Sequence, residues 1–130
     1  MKETTETKII SLEKKALERW NQGDPSGYLE LSANDVVYFD PFTTHRIDGL
    51  NKLTELYESI RGQIRVDRHE MLNPKVHYTE QMAVLTYNLI SYIKKDTTRW
   101  NCTEVFRKES DKEWKIIQTH WSFTNKAQIE

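Results

Sequence analysis

The C-terminal half constrains the fold most: three stretches rich in β-branched and aromatic residues, 81–94, 98–108 and 113–123, follow one another with only Lys95-Asp96-Thr97 and Glu109-Ser110-Asp111-Lys112 between them. Connections this short join strands as antiparallel hairpins, because a parallel crossover needs a dozen or more residues. A fourth extended stretch, 66–78, is interrupted at Asn73-Pro74, which predicts a strand at a sheet edge or one bent at a bulge. In residues 81–94, Met82, Val84, Thr86, Asn88, Ile90 and Tyr92 point one way and Ala83, Leu85, Tyr87, Leu89, Ser91 and Ile93 the other. Both sets are largely apolar, so both faces need covers. Helices are expected on one, and a homodimer through the face of Leu85, Tyr87, Leu89 and Ile93 on the other.

The N-terminal half supplies the helices. Ile9, Leu12, Ala16, Leu17 and Trp20 recur at intervals of three and four, with Lys14, Lys15 and Glu18 on the wet side. Gly23 ends that helix, and Asp24-Pro25 starts a short second one carrying Tyr28, Leu29 and Leu31. Val36-Val37-Tyr38-Phe39 reads as a strand closed by Asp40-Pro41, and a loop runs from Thr43 to Arg46. Asp48 is the expected cap of a third helix with Leu50, Leu53, Leu56, Tyr57 and Ile60 on its apolar face and Gly62 as its stop. Helices segregated from an antiparallel meander define an α+β layer fold, and 130 residues without repeat or linker define one domain.

Charge and composition narrow the function classes. A net charge of -1 gives no reason to expect nucleic acid or an anionic membrane as partner. No apolar run has the length of a signal peptide or a membrane span, so a cytoplasmic location is expected. Cys102 is the only cysteine, and His45, His69, His77 and His120 lack the spacing of a zinc motif, so neither a metal site nor a cofactor is expected. A nucleophile and base triad, a phosphate-binding glycine loop and a basic, aromatic surface are all lacking.

Several segments in their order and spacing resemble the nuclear transport factor 2-like superfamily across nearly the whole chain. They are Gly23-Asp24-Pro25, the strand closed by Asp40-Pro41, the helix from Gly49 to Tyr57, and the ending Trp114-Lys115-Ile116-Ile117-Gln118-Thr119-His120-Trp121-Ser122. The resemblance implies a cystatin-like cone in which three helices pack on a curved, mostly antiparallel sheet and enclose a ligand cavity. Within the superfamily, Leu72-Asn73-Pro74-Lys75-Val76-His77, Thr103-Glu104-Val105-Phe106 and His120-Trp121-Ser122 resemble the association domain of calcium/calmodulin-dependent protein kinase II, an assembly module. Its three cavity arginines correspond to Asn88, Glu104 and Trp121 here. Asp40 before Pro41 is similar to the catalytic base of ketosteroid isomerase and its SnoaL-like relatives. Glu104 falls on the carboxylic acid of that enzyme's oxyanion hole, and Ala16 on its tyrosine.

The resemblance therefore implies a small-molecule partner in the cavity, with Asp40 and Glu104 as candidate catalytic residues. In such chemistry a carboxylate removes an α-proton from a carbonyl compound while a neutral acid donates a hydrogen bond to the developing enolate. Apolar walls would raise the carboxyl pKa values, and Tyr38, Phe42, Asn88, Tyr92, Trp100 and Trp121 are the candidate ligand-binding residues. Four of them have a plainer reading. Asp40 could serve only as a turn residue accepting backbone N–H bonds, Glu104 as a partner of Arg99 or Arg107, Asn88 as a tie between strands, and Tyr38 as a core aromatic. Cys102 reads as buried and inert, and His120 and Ser122, alternating with Trp121, as pointing out of the cavity. An open cavity holding both carboxylates would favour isomerase, dehydratase or cyclase chemistry on a small apolar carbonyl compound. One filled by Trp100, Trp121 and Tyr92 would favour assembly without chemistry.

Overall fold

The computed structural model describes residues 3–124. Helix α1 (Thr5–Asn21) starts where the Thr4 side chain accepts from the Thr7 N–H at 3.0 Å, and α2 (Ser26–Leu31) follows at a sharp corner. That corner requires glycine. Gly23 has φ +86°, and a Cβ there would sit 3.0 Å from the Ile64 carbonyl oxygen and 3.1 Å from the Gly62 Cα. The N-cap of α2 is Pro25, one place earlier than its expected position as the first helical residue, and the Asp24 side chain accepts from the Ser26 N–H at 2.9 Å across it.

Strand β1 (Ser32–Phe39) is followed by a two-residue strand β2 (Ile47–Asp48) and by helix α3 (Leu50–Ile60). Here the sequence reading needs correction. Asp48 does not cap α3: it pairs with Val37 across the β1–β2 ladder, and its carboxylate accepts from Arg46 at 2.6 Å. Gly49, at φ +90°, makes the entry to the helix instead.

The meander is as expected: β3 (Arg68–Tyr78), β4 (Met82–Ile93), β5 (Asp96–Lys108) and β6 (Trp114–Phe123). The sheet order is β2-β1-β6-β5-β4-β3, antiparallel everywhere except β1–β6. β3 lies at the edge and its register shifts between Leu72 and Lys75, where Asn73 takes φ +51°, so the strand is both an edge and bulged. The fold class is α+β, as expected.

The helices pack on the face of β4 that carries Ala83, Leu85, Tyr87, Leu89 and Ser91, all buried. This overturns the choice of docking face: Leu85, Tyr87 and Leu89 are core, and Met82, Val84, Thr86, Asn88, Ile90 and Tyr92 form the outer face. The register shows why, because residues opposite each other share a face. Leu89 faces Trp100, and Leu85 faces Glu104. Any face that takes Trp100 and Glu104 inward must therefore take Leu85 and Leu89 with it. Ile9, Val36, Leu85, Phe106 and Ile116 have no exposed surface, each worth about 1.5–3 kcal/mol of burial. They hold sheet and helices together at one end while the other end opens.

Candidate functional site

At the open end the sheet and the helices enclose a cavity of about 480 Å³. Its walls are mostly apolar. Leu17 and Trp20 come from α1, Leu56, Tyr57 and Ile60 from α3, and Leu89, Trp100 and Trp121 from the sheet. Strand alternation explains the sheet contribution, since Leu89 and Ile93 of β4, Trp100 of β5, and Trp121 and Phe123 of β6 all project to the helix side. The rings lock edge to face: Trp100 lies 5.8 Å from Trp121, Tyr87 6.0 Å from Trp121, and Trp20 4.9 Å from Tyr57. At the mouth Phe42, 73 % exposed, leans on Trp100 and Phe123 at 6.3 and 5.6 Å.

One polar cluster interrupts these walls. The Tyr38 hydroxyl donates to Asp40 Oδ2 at 2.7 Å, and Asp40 Oδ1 accepts from the N–H groups of Phe42 and Thr43 at 2.7 and 2.9 Å. Asp40 is thus a turn residue and a cavity residue at once, because Pro41 ends β1 just as the strand reaches the mouth. Tyr57 packs against Tyr38 with ring centroids 5.6 Å apart. Burial, then the neighbouring Tyr57 and Asp40, push the Tyr38 phenol above its ordinary range, and burial raises Tyr57 likewise. Both therefore stay hydroxyl donors. Asn21, whose side-chain nitrogen lies 2.8 Å from His69 Nδ1, and Ser91 add further polar atoms to the lining.

Glu104 is not part of that lining. It lies deeper, fully buried, against a second buried carboxyl, Glu13 of α1. Glu13 Oε2 accepts from the hydroxyls of Tyr28 at 2.8 Å and Tyr87 at 2.5 Å, and Glu104 Oε2 takes a longer contact from Thr119 Oγ1 at 3.5 Å. The two remaining oxygens, Glu13 Oε1 and Glu104 Oε1, have no other donor. One proton shared between the two carboxyls would satisfy both. Burial first, and then the charge of Glu13, push the Glu104 carboxyl well above the usual range, so Glu104 is the acid of the pair. With Cys102 these side chains form a cluster whose ligand atoms lie within 4.8 Å of one another, the arrangement among the described residues that could hold a metal ion. Burial and the neighbouring Glu104 and Glu13 raise the Cys102 thiol too. A protonated thiol beside a protonated carboxyl is a poor donor set, and we read the cluster as a proton-sharing one.

The structure thus gathers Tyr38, Asp40, Phe42, Trp100 and Trp121 at the cavity and leaves out three other candidates. Glu104 is beneath it. Asn88 is exposed on the outer face, where its amide donates to the Trp100 carbonyl at 3.1 Å and to Asn101 Oδ1 at 2.7 Å, the strand tie of the plainer reading. Tyr92 is also on the outer face, bonded to Glu70 and covered by the Arg68 guanidinium 3.9 Å from its ring centroid. His120 and Ser122 point outward, His120 against Phe39 at 5.1 Å. Sequence reasoning missed Glu13 and Tyr57. Glu13 had a signal, a carboxylate four residues after Ile9 and four before Leu17 on the apolar stripe.

The family profile of the SnoaL-like domain matches residues 9–126. A protein of Parabacteroides distasonis, provisionally described as a ketosteroid isomerase, is 43 % identical, with 96 % of this chain and 92 % of that chain covered and a TM-score of 0.88. An NTF2-like protein of unknown function from Pseudomonas putida is 22 % identical, with 95 % and 90 % covered and a TM-score of 0.81. The CaMKII hub of S. rosetta is 17 % identical over 95 % of this chain and 100 % of that one, with a TM-score of 0.78. The last two likenesses speak for the fold alone. A comparison with curated proteins found no match. No described helix is long and apolar enough to cross a membrane.

Proposed function

We propose, from the premise that this chain belongs to the SnoaL-like domain family, that its cavity binds a small, largely apolar, uncharged carbonyl compound on which Asp40 acts as the proton acceptor. The observation that carries this reading is an aromatic-walled cavity with its carboxylate and two phenols gathered at one cluster, the usual makeup of a small-molecule site. An Asp40 carboxylate oxygen would take the α-proton and return it to a carbon of the enolate, while the Tyr38 hydroxyl keeps its own proton and holds the carboxyl in place. Tyr57 would donate to the carbonyl oxygen as negative charge develops there. The Trp100 indole N–H, which has no acceptor among the described residues, is a further group a bound polar atom could satisfy. Cyclic enones, small and apolar with one carbonyl, are the probe for a binding test by NMR titration. Thr98→Trp, which fills the lining near the mouth, is expected to weaken binding about tenfold or more. Equal affinity in that variant would put the compound elsewhere and leave an assembly module without chemistry as the better account.

A second copy of the chain is the proposed cover for the outer face. Val84, Ile90 and Val105 lie there partly or fully out of water beside a polar ladder in which Asn88 donates to Asn101 and Asn101 to Ser122 at 3.2 Å. Light scattering is expected to give a dimer at high micromolar concentration and a monomer for Thr103→Arg combined with Val105→Glu, because unpaired buried charge costs several kcal/mol. A monomeric wild-type protein would remove the proposal.

A further inference from the structure

The cavity has a second polar end, remote from Asp40, that the proton transfer does not use. Ser91 of β4 pairs with His69 of β3 on one side and Thr98 of β5 on the other, and residues opposite each other share a face, so all three project to the helix side. Asn21, the last residue of α1, reaches this row, its amide nitrogen 2.8 Å from His69 Nδ1. An amide nitrogen only donates, so His69 Nδ1 accepts, and the amide oxygen Oδ1 is the free end of Asn21. Asn21 and Ser91 are 7 % and 6 % exposed, and with Thr98 they line the cavity. Neither Asn21 Oδ1 nor the Ser91 hydroxyl has a hydrogen-bond partner among the described residues, and neither is sealed off from the cavity. Buried polar atoms of a folded protein have partners, so a pair left open to a ligand-sized cavity marks the place of a ligand's polar atom.

We propose that Asn21, Ser91 and Thr98 form a subsite for an aliphatic hydroxyl group, which donates to Asn21 Oδ1 and accepts from the Ser91 or Thr98 hydroxyl. The chemistry selects a hydroxyl. A carbonyl oxygen could use the serine and the threonine but would face Asn21 Oδ1, acceptor against acceptor. A carboxylate or phosphate fits worse, because no Lys, Arg or His lines the cavity and burying an unpaired charge is costly. The distance selects an elongated molecule. Phe39, next to Asp40, pairs with His120, His120 with Thr103 and Thr103 with Thr86, while Ser91 stands further along β4 toward its turn. Three strand spacings alone amount to about 14 Å. Leu89 and Trp100, the next pair inward on the same face of β4 and β5, supply apolar wall beside the subsite. The compound is therefore a hydroxy ketone with an apolar frame between its two oxygens. Its carbonyl end rests on the reading of Asp40 given above, and its hydroxyl end stands without it.

The first probe is n-octanol against its isomer heptyl methyl ether, which accepts a hydrogen bond but cannot donate one, each titrated into isotopically labelled protein and followed by NMR. The alcohol is expected to bind about tenfold more tightly and to shift the resonances of Asn21, Ser91 and Thr98. Ser91→Ala removes no hydrogen bond of the fold, and in that variant the alcohol should fall toward the level of the ether while the ether is unchanged. Thr98→Val, which keeps the side-chain shape, should lose part of the same gain. Cyclohexenones carrying ω-hydroxyalkyl chains of increasing length then test the distance. The hydroxyl should add affinity over the matched alkyl compound only when the chain is long enough to reach from Asp40, and shorter chains should bind more weakly because their hydroxyl is buried against apolar wall. Alcohol and ether binding alike, Ser91→Ala weakening both equally, or a hydroxyl gain independent of chain length would each overturn the proposal. Enones that fail to bind while the alcohol behaves as expected would support the hydroxyl subsite and strike only the reading of Asp40.

Discussion

Replacing Glu104 by glutamine is expected to make the protein more stable at neutral and alkaline pH and to flatten its pH profile. The glutamine amide can donate to Glu13 Oε1 as the acid does, and its oxygen can keep the long Thr119 contact, so shape and bonding survive. What disappears is the proton. In the folded protein the Glu104 carboxyl holds its proton far above the unfolded pKa of about 4.3, because burial and Glu13 oppose its charge. The folded state therefore binds more protons than the unfolded chain throughout that interval, and stability falls as pH rises. Its contribution is complete below about pH 4 and is lost at about 1.4 kcal/mol per pH unit until the folded pKa is reached. Exposed carboxylates act oppositely: Asp24, held at about 2 by Arg19, loses its contribution as pH falls below about 4. The wild-type optimum is thus expected in weak acid. As pH rises above about 4 the Tm of the wild type should fall progressively relative to that of Glu104→Gln, the gap widening until the folded pKa is passed. Glu104→Ala, which leaves Glu13 Oε1 without a donor, should be destabilised at every pH. Parallel unfolding profiles for wild type and Glu104→Gln would show that no proton is held in the pair.

A buried acid pair that weakens the fold at neutral pH also explains why the sequence reading placed Glu104 incompletely. Parity put it with Trp100, Cys102 and Phe106, and that is where it lies. What parity cannot give is depth along the strand. The register sets Glu104 opposite Thr119, beyond Trp121, so the rings at the cavity floor stand between it and any bound molecule. Its real partner came from α1, and Glu13 could be found only by taking the polar residue on an apolar stripe as seriously as the apolar ones. The element order, the Gly23 corner, the bulge at Asn73 and the three hairpin strands were legible because each follows from local chemistry: turn residues, proline and period-2 or period-3.6 patterning. The choice between the two faces of β4 was not. Both sets of side chains are apolar enough to be core, and only contacts between distant strands decide which set the helices cover. Tyr92 and Asn88 were misplaced by that one reversal. Tyr57 was read as a core residue of α3, and its place at the cavity depends on the packing of α3 over β1, a tertiary contact with no local signature.

The largest effect on function is expected at Asp40. With a cyclic enone bound and the sample in deuterium oxide, exchange of the α-hydrogen reports proton removal whatever the natural product is. Asp40→Asn keeps the side-chain shape and one oxygen for the Phe42 and Thr43 N–H groups, so the loop after Pro41 should hold and the enone should bind within a few-fold of wild type. The amide cannot accept a proton. Exchange is expected to fall by about 10²–10⁴, the usual contribution of a positioned general base. Tyr57→Phe, which removes a donor but not the base, should lose less, about 10¹–10³, and should lose it in kcat more than in KM if the hydroxyl binds the oxygen only as its charge develops. Tyr38→Phe separates the two jobs of Asp40: the turn bonds remain, while Oδ2 loses its donor at 2.7 Å and becomes a freer base. Exchange should then change by less than in Asp40→Asn. Wild-type exchange in Asp40→Asn together with unchanged enone binding would leave Asp40 its turn bonds alone, because the same three hydrogen bonds that would position a base are also sufficient to close a strand at a proline.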